Sequence, residues 1–208
     1  LTLDRPDKRN SLSDQMVDGL MEHISAAGRD EAVRVIVLGA SGDHFCSGFD
    51  IVSRNSGDGP RPRVGSIQRR VPATAHRLIP LMAAVQTPIV ALARGWVAGI
   101  GLHLVLASDF AVVADDARIW EPFAARGFTP DSGATWLLPR RIGEVRARDM
   151  LLLGRELTGT EAAEWGMVHR SVPAAGLDRA GEELIARLAE GPTVTLGFTK
   201  WLLHVGAA

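Results

Sequence analysis

The sequence predicts an α/β fold with a mainly parallel sheet. Short apolar runs of strand type, such as Pro88-Ile-Val-Ala-Leu-Ala93 and Phe110-Ala-Val-Val-Ala114, alternate with helical stretches. Alternation of that kind implies βαβ crossovers, which join parallel strands. The chain has 208 residues, 46% of them hydrophobic and 23% charged, enough for one globular domain with a sizeable core.

Taken in order, Leu1 to Asp4 alternates apolar and polar and reads as an edge or first strand, followed by a polar turn, Arg5-Pro-Asp-Lys-Arg-Asn10. Ser13 opens a helix whose Met16, Val17, Leu20, Met21 and Ile24 share one face. Arg34-Val-Ile-Val-Leu-Gly39 is a strand, turned by Ser41-Gly-Asp-His44, and Phe45-Cys-Ser-Gly-Phe-Asp-Ile51 is a second apolar piece interrupted by glycine. Residues 53–70 are polar and rich in Gly, Pro and Arg, the composition of a mobile surface loop. Residues 73–86 read as a helix that Pro80 should kink or delay.

The central stretch is Arg94-Gly-Trp-Val-Ala-Gly-Ile-Gly-Leu-His-Leu-Val-Leu-Ala-Ser-Asp109, in which a strand enters a glycine turn and leaves as a short helix over 102–107. Such a junction presents free N–H groups at a helix start, suited to anions, polarised carbonyls and enolates. A dinucleotide fold shares the order of strand, glycine turn, helix, strand and acidic residue (Asp115). It fails on length, because only seven residues separate Gly101 from Asp109, about two turns of helix.

Beyond it, residues 117–120 read as a strand and 121–127 as a short helix. Phe128-Thr-Pro-Asp-Ser-Gly-Ala134 reads as a turn with Asp131 at or near a helix N-cap. Helices are expected over 134–141, 145–153 and 160–165, a strand over 167–172, and an amphipathic helix over 177–189. A last segment runs from Pro192 to Val205. Both ends read as cut, the later part of a strand at Leu1 and apolar residues without a helix stop at Trp201-Leu-Leu-His-Val205.

Composition narrows the function. A net charge of −1 gives no electrostatic case for nucleic-acid or membrane-surface binding. Cys46, the single cysteine, excludes an internal disulfide framework and suits a reducing cytoplasm, so a cytoplasmic protein is expected. Pro80, Arg94 and Asp109 break the longest apolar runs, and neither a signal peptide nor a transmembrane stretch is read. His23, His44, His76, His103, His169 and His204 show no ligand spacing, so no metal site is expected.

Several separated stretches converge on one family. Arg5-Pro-Asp-Lys-Arg-Asn-Ser-Leu12, Phe45-Cys-Ser-Gly-Phe-Asp50, the run from Arg94 to Asp109, Gly127-Phe-Thr-Pro-Asp-Ser-Gly133 and Leu157-Thr-Gly-Thr-Glu-Ala-Ala-Glu-Trp-Gly-Met-Val168 occur in the order seen in the enoyl-CoA hydratase/isomerase (crotonase) superfamily. The resemblance covers nearly the whole chain. It implies a spiral of ββα units: a core domain over 1–190, then the truncated start, 191–208, of a C-terminal helical region that usually supports trimer contacts. It also implies a homotrimer or hexamer, and an acyl-CoA thioester as substrate. No separate cofactor is implied, since coenzyme A is part of that substrate. The thioester oxygen would sit between the backbone N–H groups of Phe49 and Ile100, where two aimed donors stabilise an enolate. Ser47, Asp50, Phe123, Lys8 and Arg9 would line or bind substrate, the last two near the phosphates of coenzyme A. Arg61, Arg63, Arg69 and Arg70 are either solvated or a further phosphate contact.

The departures from the family pattern bear on the reaction. The resemblance places His103 and Phe123 where its hydratases carry two glutamates, so the paired carboxylates that water addition asks for are absent. Asp131 occupies a turn where double-bond isomerases of the family use an aspartate. One carboxylate can take a proton from one carbon and return it to another. Burial beside Phe123 and Phe128 would raise its proton affinity; the plainer reading is a helix cap. His103 either lines the site or transfers protons, and is otherwise a satisfied core histidine. Glu121 could substitute for a lost glutamate, although a surface position is the simpler reading. Cys46 reads as a small buried hydrophobe. The leading expectation is therefore an enoyl-CoA double-bond isomerase with Asp131 as acid/base. The alternatives are a hydratase using His103 or Glu121, a weakened acyl-CoA-binding protein, or a hydrolase, decarboxylase or dehalogenase of the same family.

Overall fold

The computed structural model describes residues 1–51 and 75–206. The expected loop over 53–70, with Arg61, Arg63, Arg69 and Arg70, lies outside the described residues. Five strands form the main sheet in the order β1-β2-β3-β5-β8, every neighbour parallel. They are β1 (Thr2–Leu3), β2 (Ile36–Ala40), β3 (Ile89–Ala93), β5 (Phe110–Ala114) and β8 (Arg170–Val172). A smaller sheet, β4-β6-β7, contains β4 (Trp96–Ala98), β6 (Arg118–Trp120) and β7 (Leu157–Thr158). Its first pair is parallel and its second antiparallel.

The helices are α1 (Asp14–Ala27), α2 (Ala75–Ala84), α3 (Ile100–Ala107), α4 (Ala134–Leu153), α5 (Gly159–Glu164), α6 (Leu177–Ala189) and α7 (Thr193–Val205). Between β3 and α4 the chain repeats one unit. β3 in the main sheet and β4 in the small one lead into α3, and β5 and β6 then lead towards α4. This is the ββα spiral expected above.

Local chemistry sets the boundaries. Ser13 caps α1, its Oγ accepting from Met16 N at 3.2 Å. Thr158 and Glu161 close a capping box on α5. α2 runs through Pro80. α4 holds Gly143 at φ 76°, ψ 161°, a non-helical break that separates the two helices read over 134–141 and 145–153.

β3 and β5 are buried on both faces, as a parallel sheet between layers requires. Ile89, Ala91 and Ala93 face the main core with Val113, Leu102, Leu104 and Leu106, while Val90 and Val112 meet Leu177, Ala180 and Leu184 of α6. α7 is tied down by Lys200, which is 7% exposed; its Nζ lies 2.8 Å from Asp109 Oδ2 and donates to Thr87 O at 3.2 Å. Among the described residues no helix is long and apolar enough to cross a membrane.

Candidate active site

Three chain segments meet at the start of α3. β4 ends at Ala98, and Gly99 turns the chain into the helix with φ 53° and ψ −125°. That conformation lies outside the regions open to side-chain-bearing residues, so glycine is required. The second segment is the turn through Cys46, Ser47, Gly48 and Phe49. Cys46 N donates to Trp96 O and Ala98 N to Cys46 O, both at 2.9 Å, binding this turn to β4 as a one-residue parallel bridge.

Contact between the two turns is tight. A Cβ on Gly101 would lie 2.6 Å from Cys46 Cβ and 2.7 Å from Cys46 O, and one on Gly99 would lie 3.9 Å from Gly48 Cα. Leu12 N donates to Gly48 O at 2.8 Å and Asp50 N to Leu12 O at 2.9 Å, which fixes the far side of the second turn. The two glycine turns that carry Phe49 and Ile100 are thus side by side, with Ile100 the first residue of a fully buried helix.

The third segment is Glu121-Pro122-Phe123, just after β6. Gly99 N donates to Trp120 O at 3.0 Å, and the Cβ position of Gly99 is 3.9 Å from the Pro122 ring. Here the surface placement of Glu121 is overturned. Its side chain is 0% exposed and its Oε1 lies 2.9 Å from Nε2 of His103, itself 0% exposed. The His103 ring also stacks on Phe123, centroids 6.2 Å apart and planes 7° apart. His103 is therefore a buried histidine with a carboxylate partner, and among the described residues its Nδ1 and Oε2 of Glu121 have no hydrogen-bond partner. Burial pushes the Glu121 carboxyl above its ordinary range. The His103 bond pulls it back, and the charge of Asp131 pushes it up again. Asp131 is thus within electrostatic reach of the pair.

A second correction concerns Asp131. It is exposed, and Phe128, expected to cover it, is 56% exposed. Nor does it cap α4; Gly133 holds that place. Asp131 O accepts from Ala134 N at 3.1 Å, and Oδ1 accepts from Ser132 Oγ at 3.0 Å. Ser132 (φ 49°) and Gly133 (φ 90°) turn the chain sharply before α4, which leaves the aspartate on the rim.

The early turn joins the same region. Ser47 N donates to Arg9 O at 3.0 Å and its Oγ to Lys8 O at 3.5 Å, so Lys8, Arg9 and Ser47 lie together, with both cations exposed. Asn10, which sequence reasoning did not single out, is fully buried and organises this turn. Its Nδ2 donates to Ser41 O and His44 O, and its Oδ1 accepts from Arg5 N. Asp50 is buried and ion-paired with Arg5 at 2.8 Å. The Cys46 thiol is buried, and burial pushes it up to about 12, so it stays protonated. Among the described residues no cluster of His, Cys, Asp or Glu could hold a metal ion.

A parallel ββα spiral that packs two glycine turns against a helix start defines an α/β protein whose candidate site is built largely of backbone. The particular family follows from comparison: residues 1–206 match the enoyl-CoA hydratase/isomerase family, and the chain belongs to it. It is 37% identical to 1,2-epoxyphenylacetyl-CoA isomerase of Escherichia coli over 98% of this chain and 77% of that protein. It is 32% identical to a 4-chlorobenzoyl coenzyme A dehalogenase of Arthrobacter over 98% of this chain and 73% of that one. Among solved structures, an enoyl-CoA hydratase from Bacillus anthracis superposes with a TM-score of 0.91 at 26% identity, covering 99% of this chain and 78% of that one.

Proposed function

We propose that this protein binds an acyl-CoA thioester and shifts the double bond of an enoyl-CoA through a thioester enolate. Its proton carriers are Asp131 and His103, and the backbone N–H groups of Phe49 and Ile100 hold the oxygen. The observation that carries this reading is the direct contact of the Cys46–Gly48 turn with the Gly99–Gly101 turn, beside the buried His103–Glu121 pair and within electrostatic reach of Asp131. Removal of a proton next to a thioester builds negative charge on its oxygen, and donors held in advance stabilise that charge by several kcal/mol. Phe123 forms the apolar wall, Ser47 and Asp50 shape the turn, and Lys8 and Arg9 supply exposed positive charge for phosphate.

An isomerisation removes one proton and adds one, with no water incorporated. The absence of the two glutamates at His103 and Phe123 favours it over ordinary hydration. The deciding experiment incubates the protein with 2-enoyl-CoA and with 3-enoyl-CoA and follows mass and ultraviolet absorbance. Unchanged mass with altered conjugation is the expected result. A gain of one water makes the protein a hydratase, and no change makes it an acyl-CoA binder.

A further inference from the structure

Resting on the reaction proposed above and deepening it, we propose that Glu121 is the positioning residue of His103. The two form a buried pair of zero net charge that delivers a proton through His103 Nδ1, as the acid partner of Asp131. Three contacts fix the imidazole: the 2.9 Å bond from Nε2 to Glu121 Oε1, the stack on Phe123, and a helix in which every residue is buried. The bond engages one ring nitrogen and one carboxyl oxygen. The other two polar atoms, Nδ1 and Oε2, are buried without partners among the described residues. Unpartnered buried polar atoms are uncommon, and each calls for a reason such as a bound group or a catalytic role.

Charge balance sets the protonation. Among the described residues outside the pair, the carboxyl group that acts on Glu121 is Asp131, from the turn before α4. A solvent-excluded pair carrying a net negative charge beside a second carboxylate is costly. A pair of zero net charge holds one proton between Nε2 and Oε1 and a second on Nδ1. In the reaction, Asp131 takes a proton from a carbon beside the thioester. The Nδ1–H bond then breaks as its proton passes to the carbon that must gain one. The remaining proton stays on Nε2 against the Glu121 carboxylate, which holds the ring in a single tautomer. Asp131, being exposed, loses its proton to solvent, and the pair is recharged before the next turnover.

The test has two arms. In the first, 15N-labelled, ligand-free protein is studied by NMR at pH 7, with His103→Gln for assignment. Nδ1 of His103 should carry a proton in the wild type, and the ring should change protonation or tautomer in Glu121→Gln. In the second, turnover of 3-hexenoyl-CoA by Glu121→Gln should fall by about a hundredfold, the low end for a general acid. KM should stay within a few-fold, the pH–rate profile should be displaced, and Glu121→Asp should recover part of the loss. An Nδ1 without a proton in the wild type overturns the proposal, as does a folded Glu121→Gln with wild-type turnover and pH profile. If Glu121→Gln does not fold, the wild-type ring measurement and the Glu121→Asp profile decide. A wild-type protein inactive on 3-hexenoyl-CoA would remove the reaction assigned above, whereas the proton on Nδ1 would still be read directly.

Discussion

Replacing Gly101 by alanine drives a methyl group into the turn that carries Phe49. Its Cβ would lie 2.6 Å from Cys46 Cβ, 2.7 Å from Cys46 O and 3.0 Å from Cys46 Sγ, and ordinary contact begins near 3.4 Å. One turn must therefore retreat by about 0.8 Å. Cys46 cannot swing aside, because its backbone is bonded on both sides to β4 and its side chain is fully buried. The displacement thus falls on the spacing between the two proposed oxyanion donors. A misplacement of that order costs about a hundredfold in rate, and overpacking of a filled core costs about 1–3 kcal/mol. Turnover on enoyl-CoA and urea unfolding measure the two effects on one variant. Gly19→Ala is the control: it sits in α1 with nothing within 4 Å of a built Cβ, and should gain about 0.5–1 kcal/mol with turnover unchanged. Wild-type turnover and stability in Gly101→Ala would refute the claim that close contact of these turns sets the site.

Asp131→Asn should lower turnover by about a hundredfold and leave unfolding within about 0.5 kcal/mol, as for other exposed positions; full activity there together with loss in His103→Ala would move the base to the histidine. Burial raises the Glu121 carboxyl above its ordinary value of 4.5, so the folded state holds that proton more tightly than the unfolded chain. Its stabilising contribution is present below pH 4.5 and is lost as pH rises through the folded value; Glu121→Gln should remove this slope from unfolding curves, and an unchanged slope would assign it elsewhere. The exposed Phe198, Trp201, Leu202 and Leu203 of α7 suit burial between subunits, and light scattering should give a homotrimer or hexamer rather than a monomer.

Most of the fold was legible because apolar periodicity reports burial directly. The α6 bounds coincide with the amphipathic run over 177–189, and the break at Gly143 falls between the two helices read on either side of it. Two of the short strands, β4 and β7, were not legible. Trp96–Ala98 and Leu157–Thr158 are strands only because β6 lies between them, with Val97 opposite Ile119 and Leu157 opposite the same residue. Two or three residues carry no period of their own, so that pairing had no local signature.

The same contrast explains why the two carboxylates were read the wrong way round. Asp131 was expected under aromatic cover and is exposed; Glu121 was expected at the surface and is enclosed. A burial signal for Glu121 did exist: along β6 the inward residue is Ile119, and a period of two carries that face to position 121. It was outweighed because an isolated buried glutamate is so unfavourable. What makes it tolerable is His103, 18 residues earlier and one helical turn past Gly99, a partner that only the spiral can deliver. Asp131 shows the converse. Neighbouring phenylalanines do not enforce burial when Ser132 and Gly133 take left-handed conformations and turn the chain outward. These placements suit different tasks. A carboxylate on the rim exchanges protons with water between turnovers, whereas one sealed against a histidine keeps its proton in a defined place. In the proposed reaction, exposure and enclosure together supply the two kinds of acid–base group that the missing glutamates would otherwise have provided.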